Sequence, residues 1–328
     1  MTATTDLVIT NGDAAGELLR RTLPGAEVLP WRDVLHEGPV PLTATLEELT
    51  VVRVEYLAGA GGGEIGAIEF ELMARDRGLA MNPNFEHVVL WFEHDLYDQL
   101  QLLQVLDWFA ANPRAGGTLL LVQTDDYIGR QEPEAIADLA AAARPVSQEQ
   151  LDLAKRAWAA FRQKTPEAWA QLLNEDLSAL PFLKPAVVRM LEELPGVDGL
   201  SHTGRQMLAI VEAESVTALA LFVAVQRDED AEFMGDWSFW RLLDSLALAD
   251  EPLIAGLEAA PFQRDTPELA KAYLTSRLGL TSLGKAVLAG GADWAGHHDV
   301  NVWWGGTHLT EDALWRWDQA AERLIAPE

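Results

Sequence analysis

Four polar clusters stand out because each follows a short aliphatic run: Asn11-Gly12-Asp13, Trp31-Arg32-Asp33 with His36-Glu37-Gly38, Glu93-His94-Asp95, and Gln123-Thr124-Asp125-Asp126. His36, Glu37, Glu93 and His94 supply the imidazole and carboxylate types that move protons in general acid–base work, and they are the candidate catalytic residues. Asn11, Gly12, Asp13, Arg32, Asp33, Asp95, Asp98 and Gln99 are the candidate ligand-binding residues. Each also has a purely structural reading. Asp13 and Asp95 sit where helix N-caps belong, and Asp98 three residues after Asp95 resembles a capping box. Gly12 either relaxes a turn or lets backbone N–H groups approach an anion at a helix N-terminus. Arg32 offers a planar fork for a carboxylate or phosphate, or pairs with Asp33 or Glu37.

Other chemistries find less support. A metal set of Asp13, His36, His94 and Asp95 is chemically reasonable, but no diagnostic spacing marks it, and adjacent Glu93, His94 and Asp95 cannot all converge while a strand persists. No metal ligand is therefore assigned, and no motif names a cofactor. The chain has no Cys and no Gly-x-Ser-x-Gly elbow, which excludes thiolate chemistry and the common serine-hydrolase arrangement. The glycine tract 59–63 lacks the Gly-Lys-Ser/Thr ending of a phosphate-binding loop.

The clusters are positioned by an alternating pattern of elements. β-Branched and aliphatic runs at 6–10, 27–30, 87–92 and 118–123 read as strands, with a short last one at 144–146. Helical spacing fills the gaps at 18–23, 46–57, 64–77, 96–109 and 133–142. Strand–helix alternation predicts an α/β fold: a three-layer parallel sheet, Rossmann-like or flavodoxin-like, over residues 1–146. In such a sheet ligands bind beyond the carboxyl ends of the strands, where all four clusters fall. Residues 147–195 read as a helical connector. Residues 196–328 read as a mainly helical, winged-helix-like domain, with a hairpin signal at Gly305-Gly306 and either a second hairpin strand or a closing helix at 314–324.

Composition bounds the partners. The 328 residues carry 51 acidic and 24 basic side chains, net −27, so nucleic acid and anionic membranes are disfavoured. Residues 196–328 hold 9 basic and 21 acidic groups, so a winged-helix outline there implies protein contacts rather than DNA. That region also carries seven of the twelve tryptophans, Trp237, Trp240, Trp294, Trp303, Trp304, Trp315 and Trp317, either as core or as an aromatic surface. No basic-then-apolar leader opens the sequence and no apolar stretch reaches spanning length, so a cytoplasmic setting is expected.

With these residues in view, the chain resembles a bacterial family known as domain of unknown function 1835, together with the C-terminal domain that accompanies it. The resemblance rests on NGD at Asn11, WRDVLHEGPVP at Trp31, LWFEHDLYDQLQLL at Leu90, GLSHTGRQ at Gly199, FMGDWSFW at Phe233, and the later WWGGTHL and WRWD segments. It implies no reaction. It does imply that the NGD, WRD-HEGP and WFEHD-DQ segments belong together. The expected function is binding or transformation of a small polar metabolite, phosphorylated or nucleotide-like, at the strand ends. There Arg32 would anchor an anion and His36 or His94 would move protons. The alternative is a non-catalytic interaction or regulatory protein that uses its Trp-rich region to bind a protein partner or a second copy.

Overall fold

β-Branched Val8, Ile9 and Thr10 begin the first strand, β1 (Leu7–Asn11), whose side chains are buried alternately on two faces. The computed structural model describes residues 6–257 and 260–327. These fall into two units, one running to Val188 and including Trp303–Thr307, the other Arg189–Val302 with the chain from His308 onward. The helices read as a connector are thus divided, those before Arg189 grouping with the sheet.

In the first unit, α1 (Asp13–Thr22), β2 (Glu27–Trp31), α2 (Leu46–Gly59), α3 (Ile65–Ala80), β3 (His87–Phe92), α4 (Leu96–Ala111), β4 (Thr118–Gln123), α5 (Pro133–Ala141) and β5 (Arg144–Pro145) follow β1. The sheet order is β2-β1-β3-β4-β5. Pairing is parallel through β4, in register Leu7↔Glu27, Leu7↔Val88 and His87↔Thr118. The expected all-parallel sheet is corrected at its edge, where β5 runs antiparallel to β4. Arg144 and Pro145 are both exposed, so no buried face encodes a direction there, and an antiparallel edge on a parallel sheet is common.

One sheet face packs Val8, Val89, Trp91 and Val122 against Leu18 and Leu19 of α1, Ile128, and Ile136 of α5. The alternate residues Leu7, Ile9, Val88, Leu90 and Phe92 are also at most 1% exposed, as expected for strands covered on both sides. Helix α4 is buried nearly all round, not only along Leu96, Leu100, Leu103, Leu106 and Phe109, because α6 (Gln148–Phe161) packs along it. Its buried glutamines serve as ties: Gln101 donates to the Asp33 carbonyl at 2.9 Å, and Gln104 accepts from Trp31 Nε1 at 2.8 Å. Helices α7 (Glu167–Gln171) and α8 (Leu183–Leu191) follow.

The second unit contains α9 (His202–Ala213), α10 (Ala218–Asp228), α11 (Asp236–Ala247), β6 (Ile254–Ala255), α12 (Pro267–Thr275), β7 (Gly279–Leu280) and α13 (Ser282–Leu288). Strands β8 (Asn301–Trp304) and β9 (Thr307–Thr310) form the expected two-residue hairpin. Residues 314–324 take neither expected form. Strand β10 (Arg316–Asp318) pairs instead with β11 (Arg323–Ile325) in a separate antiparallel ladder. Among the described residues no helix is long and apolar enough to cross a membrane.

The hairpin tip holds the loop that carries the second polar cluster. Val40 N–H donates to the Gly305 carbonyl at 2.7 Å, and Gly306 N–H to the Phe161 carbonyl at 3.0 Å. Arg162 reaches the same loop, donating to the Pro41 carbonyl and Thr43 Oγ1. A Cβ on Gly306 would lie 2.1 Å from the Arg162 carbonyl oxygen, a backbone atom that cannot swing aside. Gly306→Ala is therefore expected to lower stability by about 1–3 kcal/mol, the usual cost of overpacking, as measured by urea unfolding. Wild-type stability in that variant would refute the contact.

Candidate active site at the strand ends

Strand β3 ends at Phe92, and the alternation of extended backbone carries on into the residues that follow it. Glu93 and Asp95, two apart, then turn to the same side and meet Asp98 from the first turn of α4. One carboxylate oxygen from each lies within 4.8 Å of the others, and all three residues are buried. Asn11, at the end of neighbouring β1, donates from Nδ2 to Asp98 Oδ2 at 2.5 Å. The other Asp98 oxygen accepts the Glu93 N–H at 2.6 Å, and Gln99 Nε2 donates to the Glu93 carbonyl at 2.7 Å. Asp95 caps α4 as expected, accepting the Asp98 N–H at 3.2 Å.

Three carboxylates so close cannot all ionise without a compensating charge. Burial pushes Glu93 up to about 7, against hydrogen bonds from the Ile128 N–H and Asn11 that favour its charged form. Asp95 is also pushed up to about 7, first by burial and then by the Glu93 charge. Asp98 is raised by burial and by both neighbours. The three are electrostatically linked, and each is held above the ordinary carboxyl range. Their oxygens also form the donor set a hard divalent cation takes. This differs from the metal set weighed on sequence grounds, since Asp13, His36 and His94 are not in the cluster.

Asn11, Glu93, Asp95, Asp98 and Gln99 thus come together; the remaining candidates do not join them. Asp33 is wholly buried between Arg53 (2.9 Å) and Arg75 (3.6 Å), a structural ion network rather than a ligand contact. Arg53 also donates to the Val34, Glu37 and Pro39 carbonyls, so it shapes the WRD-HEGP loop. Arg32 pairs with Asp13 at 2.5 Å, not with Asp33 or Glu37, in an exposed contact. Asp13 opens α1 instead of capping it. The N-cap is Gly12, whose φ of 29° is a conformation that L side chains rarely adopt, so the turn by itself calls for glycine. His36 lies edge-on to Tyr97 and 3.9 Å from Glu37, and Glu37 accepts from Tyr56 at 3.3 Å. His94 turns away from the carboxylates to pack between Tyr127 and Phe182.

Sequence reasoning missed Arg53, Arg75 and Asp76, although a charged residue inside Val51-Val52-Arg53-Val54 was an available signal. It also missed Thr10 and Trp91, which lie opposite each other in register near the ends of β1 and β3. Their Oγ1 and Nε1 are buried and make no hydrogen bond among the described residues. Such orphaned groups call for a specific explanation, an ordered water or ligand among them. No protein-family model matches the chain, and no curated protein matches it.

Proposed function

We propose that this protein binds and transforms a small polar metabolite at the carboxyl edge of its parallel sheet, with Glu93, Asp95 and Asp98 as a proton-sharing acid–base group. The observation that carries this reading is the mutual approach of three buried carboxylates beside Asn11, between the ends of β1 and β3. In the order β2-β1-β3-β4-β5, β1 and β3 flank the point where the winding reverses, which is where open α/β sheets bind ligands. That order supports a flavodoxin-like description of the first unit, and α9 to α11 followed by short antiparallel ladders support a winged-helix-like description of the second.

Asn11 and Gln99 orient polar atoms, while the carboxylates accept from hydroxyl or amino groups and return a proton. A phosphorylated or nucleotide-like ligand fits only with a cation to offset the local negative charge. Membership of the domain of unknown function 1835 family and a cytoplasmic setting belong to the same proposal. The alternative of an aromatic docking surface has weaker support: Trp240, Trp294, Trp304 and Trp317 are buried, and Trp237, Trp303 and Trp315 are half-buried.

A thermal-shift screen of polyols, amines, nucleotides and sugar phosphates, with and without magnesium, tests the reading, because a ligand specific to the native state raises melting by mass action. The expected result is a metal-independent shift that disappears in Glu93→Gln and Asp95→Asn. A shift produced by magnesium or manganese alone, and lost in the same variants, would replace the acid–base role with a metal site.

A further inference from the structure

Helices α2 and α3 bury charged and apolar side chains together and leave a second apolar set exposed. Their buried faces mix Leu49, Val54, Leu72 and Leu79 with Thr50, Arg53, Arg75 and Asp76, whereas Val51 is 55% exposed, Ile65 55% and Met73 44%. A helix normally turns its apolar stripe inward. Here the interior is shared with the Asp33–Arg53–Arg75–Asp76 network, in which Thr50 Oγ1 donates to Asp76 at 2.5 Å, and Val51, Ile65 and Met73 lie outside it. Between the helices lies a groove of about 310 Å³, floored by Val51, Val54, Ile65, Met73 and Ala80.

The groove's charge indicates what fits it. Glu47, Glu55 and Glu69 line it, and none has a cation within ion-pair distance among the described residues. The one lining cation, Arg77, folds back with Nε on the Met73 carbonyl. Glu47 and Glu55 are eight residues apart on one helix, about 12 Å along its axis, too far for a single ammonium group. An occupant needs an apolar stripe flanked by several positive charges. A second copy of this chain brings another 27 negative charges and is repelled.

We infer that the α2–α3 groove docks a basic amphipathic helix of a partner protein, with apolar side chains seated over Val51 and Met73 and lysine or arginine side chains against Glu47, Glu55 and Glu69. This is the helix-in-groove mode of recognition, anchored at i, i+3 and i+4. The inference is independent of the strand-end carboxylates.

The test uses the full chain and a fluorescent model helix of leucine and lysine, about five turns long, with a leucine–glutamate peptide of the same pattern as control. Saturable binding of the lysine peptide is expected, weakening steeply with added salt. Val51→Asp with Met73→Asp, and separately Glu47→Gln with Glu55→Gln and Glu69→Gln, are each expected to weaken it by at least about tenfold. The altered residues line an open groove, so unchanged circular-dichroism melting of each variant separates lost docking from lost folding. Absence of saturable binding, equal binding of the glutamate peptide, or indifference to both variant sets overturns the proposal. So does a concentration-dependent dimer or vesicle association that Val51→Asp with Met73→Asp abolishes, since a second copy or a lipid surface would then be the occupant.

Discussion

Asp33→Ala is expected to lower stability by about 3–5 kcal/mol, the cost of breaking one side of a buried charge network. Asp33 lies wholly buried against Arg53, with Arg75 at 3.6 Å, and Arg75 also pairs with Asp76 at 2.8 Å. Two cations and two anions therefore balance. Removing Asp33 leaves two guanidinium groups with Asp76 alone, and Asp76 is itself raised by burial and so reluctant to carry full charge. The damage spreads because Arg53 also holds the carbonyls of Val34, Glu37 and Pro39. Urea unfolding measures the loss. Arg32→Ala is the reference, because its pair with Asp13 is 43% and 71% exposed, and pairs of that kind contribute about 0–1 kcal/mol. Equal losses in the two variants would contradict the view of Asp33 as a structural residue.

The second large effect is a pH dependence opposite to that of ordinary carboxylates. Glu93 rises from 4.5 to about 7 and Asp95 from 3.8 to about 7, so the folded protein holds protons that the unfolded chain has released. Stability contributed in this way is fully present below about pH 4 and is lost as pH rises through 7. For Glu93 alone the shift corresponds to roughly 3 kcal/mol, and the groups are linked, so their effects do not add. Asp95→Asn is expected to stabilise the protein near about pH 8 and to flatten the slope between mildly acidic and neutral pH. Asparagine also accepts the Asp98 N–H, so the helix cap survives the change. Carboxyl NMR titration of the wild type is expected to show coupled groups titrating near neutrality. A slope unchanged in Asp95→Asn, with all carboxyls titrating in the ordinary range, would remove the basis for proton sharing.

Much of the first unit was legible because period carries burial. The runs at 6–10, 87–92 and 118–123 are apolar on both faces, as only covered strands are, and the polar residues that end them had to lie at the sheet's carboxyl edge. The capping role of Asp95 was equally local, since an Asp just before a helical stripe with another acidic residue three later is a helix-start signal. Which polar residues would meet was not local. Asn11 and Asp98 are 87 positions apart, and their hydrogen bond exists only because β1 and β3 pair in register Leu7↔Val88. That Glu93, His94 and Asp95 could not all converge was legible from alternation, but that Glu93 and Asp95 would meet Asp98 while His94 packs against Tyr127 and Phe182 was not.

By itself the sequence determined the strand–helix alternation and the helix-start signals, because each depends on residues within a turn or two of one another. Tertiary structure alone decided that Asp33 would be buried against Arg53 and Arg75, that Arg32 would pair with Asp13, that β5 would run antiparallel, and that α2 and α3 would face solvent with apolar side chains. The physical reason is that a charge or an apolar group settles according to the dielectric and the partners around it, and those come from chain segments that meet only when the layers assemble.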